Sequence, residues 1–203
     1  MLMDVGALLK TFIYLVSSSL LYPVLLALSL LVLVIIVQAG GFFAEWLERM
    51  RLTPCPSEDL PRLLRTGQAA GVISHRVNRY LQTFTRIQSQ QDDTVIAVEN
   101  LLQSTTMELW KSMDRLRILV RTGPSLGLLG TLIPMGTGLA ALGQGDMTKL
   151  SSDLVIAFTT TVVGMAVGTV AFCFYTVRRR WLEEDIKNME LATELLMGDP
   201  AED

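Results

Sequence analysis

Three threonines set in apolar surroundings are the residues whose type and spacing could do chemistry: Thr131 in one uncharged stretch, Thr160 and Thr161 in another. A hydroxyl both donates and accepts, so it can hold a cation or a proton-bearing water without changing its own charge. A threonine in an apolar helix often bonds only its own preceding carbonyl and does nothing more. Here Thr159, Thr160 and Thr161 follow one another beside glycines, which points to a wetted or partner-facing surface. Asp153, Ala157, Thr160 or Thr161, Gly164 and Gly168 recur at helical spacing and share one face. No Asp, Glu, His, Lys or Arg lies inside the uncharged stretches. Ion relays through membranes use titrating groups as stepping stones. If this chain conducts protons or cations, a second protein must bring the charge.

The small residues around these threonines determine what packs beside them. Gly123, Gly127 and Gly130 precede Thr131 or lie next to it, Pro124 and Pro134 bracket it, and Gly164 and Gly168 follow Thr161. Lipid offers little hydrophobic drive for helix association, so glycines that let backbones approach supply it. These stretches therefore face protein, and helix packing is the simplest role for the glycines themselves.

The elements that carry these residues follow from charge spacing. The chain has 203 residues, 50% hydrophobic and 18% charged, with a net charge of −3. Soluble domains carry about 25% charged residues, and the apolar residues here come in blocks. Uncharged runs extend for 34 residues from Thr11, 24 from Thr122 and 24 from Leu154. About 20 residues cross a bilayer as a helix. The expected organisation is all-α with three transmembrane helices. An interfacial helix covers 1–19, the first crossing 20–44, a cytoplasmic helical bundle 45–118 and the second crossing 119–142. An outer loop at 143–152, the third crossing at 153–177 and a cytoplasmic helix and tail at 178–203 complete it. Pro23 falls in the first turn of the first crossing, where its missing N–H costs least. Val37-Gln38-Ala39 resembles a signal cleavage site, but signal peptides have apolar cores of about 7–15 residues behind a basic start, so the first run reads as an uncleaved crossing.

Fifteen of the seventeen Lys and Arg residues lie in 45–121 and after 177, two segments that three crossings put on one side. The positive-inside bias makes that side the cytoplasm, so the N-terminus faces out and the C-terminus in. Pro54, Pro56 and Pro61 break the bundle early, and Ser57 offers a helix start. Val95, Val98, Leu102, Thr105, Leu109, Met113, Leu116 and Val120 form one stripe at spacings of three and four, predicting a helix that runs straight into the second crossing. Leu182, Ile186, Met189 and Leu196 predict the third crossing to continue below the membrane in the same way.

The run Gly123-Pro-Ser-Leu-Gly-Leu-Leu-Gly-Thr, preceded by Glu99 and the Leu-rich helix, together with Ala157-Phe-Thr-Thr-Thr-Val-Val-Gly, resembles the TolQ/ExbB/MotA proton-channel family over about 95–177. The resemblance implies an inner-membrane, multi-pass stator subunit. Five copies, a homopentamer, would surround two copies of a single-crossing ExbD/TolR/MotB-like partner whose crossing carries an Asp. Ion flow would be coupled to mechanical work by relative rotation. It maps pore-facing threonines to Thr131 and Thr161, with Thr160 beside them, and a helix-bending proline to Pro124. Two departures stand out: Ile156 where ExbB- and TolQ-like members often have Glu, and Pro134 where members commonly carry Gly. The first leaves conduction more dependent on the partner's carboxylate, and the second predicts a new bend, because proline removes a helix hydrogen bond.

Against this reading stands a membrane scaffold whose small residues only pack helices and whose bundle recruits proteins. A secondary transporter fits less well, since three crossings show no internal repeat. An enzyme fits least, with no nucleophile set or phosphate-binding loop. Neither Cys55, Cys173 nor the lone His75 builds a metal site, His75 reading instead as a solvated surface residue. No cofactor and no nucleic acid partner is expected; the lipid bilayer is.

Overall fold

The computed structural model describes residues 2–51, 73–88 and 94–197. Pro54, Cys55, Pro56, Pro61 and the helix start expected at Ser57 lie outside the described residues. Among the described residues the chain forms α1 (Leu2–Ser19), α2 (Leu21–Arg51), α3 (His75–Gln88), α4 (Thr94–Leu142) and α5 (Met147–Met197), with no strand. Three helical stretches, Val5–Arg51, Val95–Leu142 and Met147–Met197, are long and apolar enough to cross a membrane.

The break between α1 and α2 has a local cause. Pro23 has no N–H, so the carbonyl of Ser19 loses its helical donor. The chain tightens there, with Leu20 N–H shared between the carbonyls of Val16 and Ser17 at 3.2 Å each. The helix resumes with Pro23 as the third residue of α2, inside its first turn. On α2 the side chains of Leu26, Leu30, Leu33, Ile36 and Val37 are exposed, an apolar surface suited to lipid.

α4 and α5 are each continuous over about 50 residues, and α4 carries Pro124 and Pro134 without interruption. Both apolar stripes serve as packing faces: Val98, Met113 and Leu116 on α4 and Leu182 and Met189 on α5 are buried, whereas Val95, at the start of the first stripe, is exposed. The loop expected over 143–152 is shorter than that. Gly145, with φ +80°, closes α4 with its N–H on the Leu142 carbonyl at 2.9 Å, while the N–H of Asp146 bonds the Ala141 carbonyl at 3.0 Å, a left-handed glycine cap. The Asp146 carboxylate then accepts the N–H of Lys149 at 2.9 Å and starts α5 as its N-cap. Residues 147–152 are helical because of that cap, a signal the charge count passes over.

The chain divides into two compact units. The first, Met1–Ala39 with Arg115–Phe174, holds the glycine- and threonine-rich parts of α4 and α5. The second, Gly40–Asp114 with Tyr175–Asp203, packs α3 against its own portions of α4 and α5. Its core is Ile73, Val77, Tyr80 and Met189, with Leu81, Leu101, Leu102, Leu109 and Leu191 against them. The Tyr80 hydroxyl meets that of Thr193 at 2.6 Å. Burial pushes the Tyr80 phenol up from its ordinary value, and the Thr193 contact only partly offsets this.

A buried ion network also belongs to the second unit. Asp185 is fully buried and accepts from the Arg49 guanidinium at 2.7 Å, with Arg76 at 3.6 Å. Glu45 pairs with Arg76 at 2.9 Å and with Arg178 at 3.2 Å. Arg49 also lies 5.2 Å from the centre of the Trp181 ring, which stacks on Phe42. His75 is exposed, as its sequence setting predicts, yet it pairs with Glu48 at 2.8 Å. Burial raises the Glu48 carboxyl, but the His75 hydrogen bonds and the His75 and Arg49 charges outweigh it and bring it below its ordinary value. Asp185→Ala leaves two largely buried guanidinium groups short of a counter-charge. The expected loss is about 1–3 kcal/mol, read as a lower thermal unfolding midpoint in detergent, while Glu184→Ala, at the exposed partner 3.6 Å from Arg49, changes it little.

Candidate ion path

The first unit brings the two glycine-bearing helices into backbone contact. A Cβ built on Gly164 of α5 would lie 2.6 Å from Gly127 Cα, 2.7 Å from the Gly123 carbonyl oxygen and 2.9 Å from Gly127 N. A Cβ on Gly168 would meet the Pro124 ring at 2.6 Å, and one on Gly130 the Thr160 side chain at 2.7 Å. Real Cβ atoms do not approach this closely, so each glycine is the residue that lets the pair close. Gly123, Pro124, Gly127, Gly130, Gly164 and Gly168 therefore sit at a single α4–α5 contact.

Within that contact the hydroxyls of Thr131 and Thr161 are hydrogen-bonded to each other. Thr161 also reaches the Ala157 carbonyl at 3.0 Å, and Thr131 the carbonyls of Gly127 at 3.0 Å and Ala157 at 3.3 Å. Each hydroxyl donates one proton and can accept at its remaining lone pairs, which leaves acceptor capacity on the two hydroxyl oxygens. Both residues are half-buried. Pro134 adds to it, since its missing N–H deprives the Gly130 carbonyl of a helical donor one residue from Thr131.

Thr160 is placed differently from the other two. It is buried, its hydroxyl lies 3.0 Å from the carbonyls of both Ile156 and Ala157, and it packs on Gly130. It also borders an apolar groove between α2 and α5 that Leu25, Leu28, Val32 and Val163 line. Thr159 is exposed, and its hydroxyl bonds the Val155 carbonyl of its own helix at 2.8 Å.

Two polar residues escaped the sequence reading. Asp185 is the buried anion of the second unit; its place three residues after Leu182 and four before Met189 puts it on the apolar stripe, which was the available signal. Thr137 donates to the Asp153 carboxylate at 2.8 Å, and its spacing from Gly130 and Pro134 sets it on the same α4 face. Among the described residues no group of His, Cys, Asp and Glu could hold a metal ion.

Three membrane-length helices, two of them closed on each other through glycines around a hydroxyl cluster, define a polytopic membrane protein with a polar contact inside its apolar part. The sequence model of the MotA/TolQ/ExbB proton channel family matches residues 68–191, more than half of the chain, and the chain belongs to that family. The "Putative biopolymer transport protein ExbB homolog" of Methanothermobacter thermautotrophicus is 26% identical over 133 residues, covering 65% of this chain. The chain spans about half the length of that relative, 47%. No solved structure matches.

Proposed function

We propose that this chain is an ion-conducting stator subunit of the cell's inner membrane, with the proton, the cation class the family name carries, as its ion. The single observation that carries the reading is the Thr131–Thr161 hydroxyl pair, joined to the Gly127 and Ala157 carbonyls, in two runs, 122–145 and 154–177, that hold no Asp, Glu, His, Lys or Arg. Hydroxyls of this kind hand ions on; they do not themselves gain or lose charge at physiological pH. A carboxylate from a single-crossing partner, of the ExbD, TolR or MotB kind, completes the path. Several copies of this chain, five by family resemblance, surround that partner. The Lys and Arg distribution supports an N-out, C-in orientation with the second unit in the cytoplasm. Moving one charge through 100 mV yields about 2.3 kcal/mol, so mechanical work takes several ions per cycle.

Purifying the chain with and without the product of a neighbouring gene that encodes one Asp-bearing crossing tests this. In proteoliposomes under an imposed gradient, the chain alone should give no flux above protein-free vesicles, and the complex should conduct. Flux through the chain alone would overturn the lent-carboxylate mechanism, and a silent complex would favour the scaffold.

A further inference from the structure

Asp153 is half-buried on α5, yet among the described residues it has no ion pair. Its recorded partner is the Thr137 hydroxyl at 2.8 Å, a hydroxyl that also lies 3.0 Å from the Pro134 carbonyl. The facing residue on α4 is Gly138, where a built Cβ would come within 3.3 Å of the Asp153 Cβ. The start of α5 does not need this carboxylate, because Asp146 already caps it through Lys149 N–H. A neutral Asn or Ser would clamp Thr137 as well, and a partly buried charge without a counter-charge is costly. The charge itself therefore calls for a use.

Its position supplies one. Asp153 lies one turn before Ala157, whose carbonyl holds Thr131 and Thr161. On α4 the Thr137 hydroxyl, the Pro134 carbonyl and the Gly130 carbonyl freed by Pro134 recur toward Thr131. Polar groups thus recur on both helices from the α4–α5 turn to the hydroxyl pair. The other charges in the α4–α5 turn are Asp146 and Lys149, and the proposed orientation puts Asp4 and Lys10 of the N-terminal segment on the same side; α4 is uncharged from Thr122 to Leu142.

We infer that Asp153 is the cation-gathering group of the path, a fixed negative charge at its mouth that raises the local concentration of a monovalent cation before it reaches Thr131 and Thr161. The inference rests on the conducting role proposed above. The eight residues from Asp153 to Thr161 correspond to about 12 Å of helix, farther than one hydrogen bond. Asp153 acts on occupancy at the mouth and does not pass a proton directly to the threonines. A charge that focuses its ion changes the concentration needed for half-maximal flux more than the maximal rate.

The test is flux through the complex with its single-crossing partner in proteoliposomes. One arm varies external pH at fixed sodium and the other varies sodium at fixed pH, which separates a proton from a sodium ion as the gathered species. Asp153→Asn keeps shape and acceptor but removes the charge. It should raise the half-saturating concentration of one ion roughly fivefold, with the deficit closing as that ion increases. Thr137→Ala keeps the carboxylate, so its half-saturating concentration should move far less than that of Asp153→Asn even where its maximal flux falls. Unchanged half-saturation in Asp153→Asn in both arms, or an equal loss of maximal flux and thermal midpoint in both variants, overturns the inference and makes the pair a helix clamp. Thr131→Ala with Thr161→Ala tests the reading beneath: if flux falls there while Asp153→Asn is silent, only this inference fails; if flux survives there, the conducting role fails and this inference with it.

Discussion

Gly164→Ala is expected to give the largest loss of stability of any single methyl added to this protein. The new Cβ would press on Gly127 Cα, Gly127 N and the Gly123 carbonyl oxygen at 2.6–2.9 Å. All three are backbone atoms and cannot rotate away, so α4 and α5 must separate along the whole contact. Overpacking of this kind costs about 1–3 kcal/mol, and a purely backbone neighbourhood puts this case at the upper end. Separation would also pull Thr131 from Thr161, one turn away. Gly136 provides the comparison, since a Cβ there meets nothing within 4 Å and alanine is favoured over glycine by about 1 kcal/mol in a helix interior. Thermal unfolding in detergent, followed by size exclusion, should show Gly164→Ala well below the parent and Gly136→Ala equal to it or above. Equal midpoints for the two variants would mean that the glycine contact does not hold the helices together.

The features legible in the sequence were those that depend on spacing along one helix. Uncharged runs and the stripe from Val98 to Val120 are periodic, so the three membrane-length helices and the uninterrupted α4 and α5 could be read directly. The glycines were legible as a packing face for the same reason, because four-residue spacing needs no knowledge of the partner helix. Features that depend on two segments meeting were not. Thr161 and not Thr160 faces Thr131, a choice set by helix rotation that the triplet Thr159-Thr160-Thr161 leaves open. Asp185 reads as one more charge in an acidic tail until Arg49 and Arg76 are seen around it, 136 and 109 residues away in sequence. The short α4–α5 turn was missed because Asp146 looks like a loop charge until its bond to Lys149 N–H makes it a cap. The family resemblance was carried by contiguous runs and so preceded any geometry; its match extends over residues 68–191, farther than the 95–177 that the quoted runs cover.

Thr131→Ala combined with Thr161→Ala is expected to cut ion flux through the assembled complex at least tenfold without unfolding it. Each hydroxyl bonds a carbonyl four residues back on its own helix, Gly127 for Thr131 and Ala157 for Thr161. Those carbonyls belong to the helix ladder, so losing the hydroxyls leaves no buried acceptor without a partner and the cost to folding is small. Alanine is a better choice than valine here. The two oxygens meet in a hydrogen bond, and two methyl groups in their place would collide and confuse packing with chemistry. A hydrogen bond to a charged group contributes about 1.5–3 kcal/mol, and 1.4 kcal/mol is a factor of ten in rate, which sets the expected loss at about ten- to a hundredfold. Serine at both positions restores the oxygens and should keep flux within a few-fold of the parent. The pairing separates two mechanisms that share the same residues. If the threonines matter only because they leave a wet gap, the alanine variant, with more room for water, conducts as well as the serine variant. If the oxygens themselves take part, the serine variant conducts and the alanine variant does not, and the difference persists at saturating ion, where a charge that only gathers ions has lost its influence.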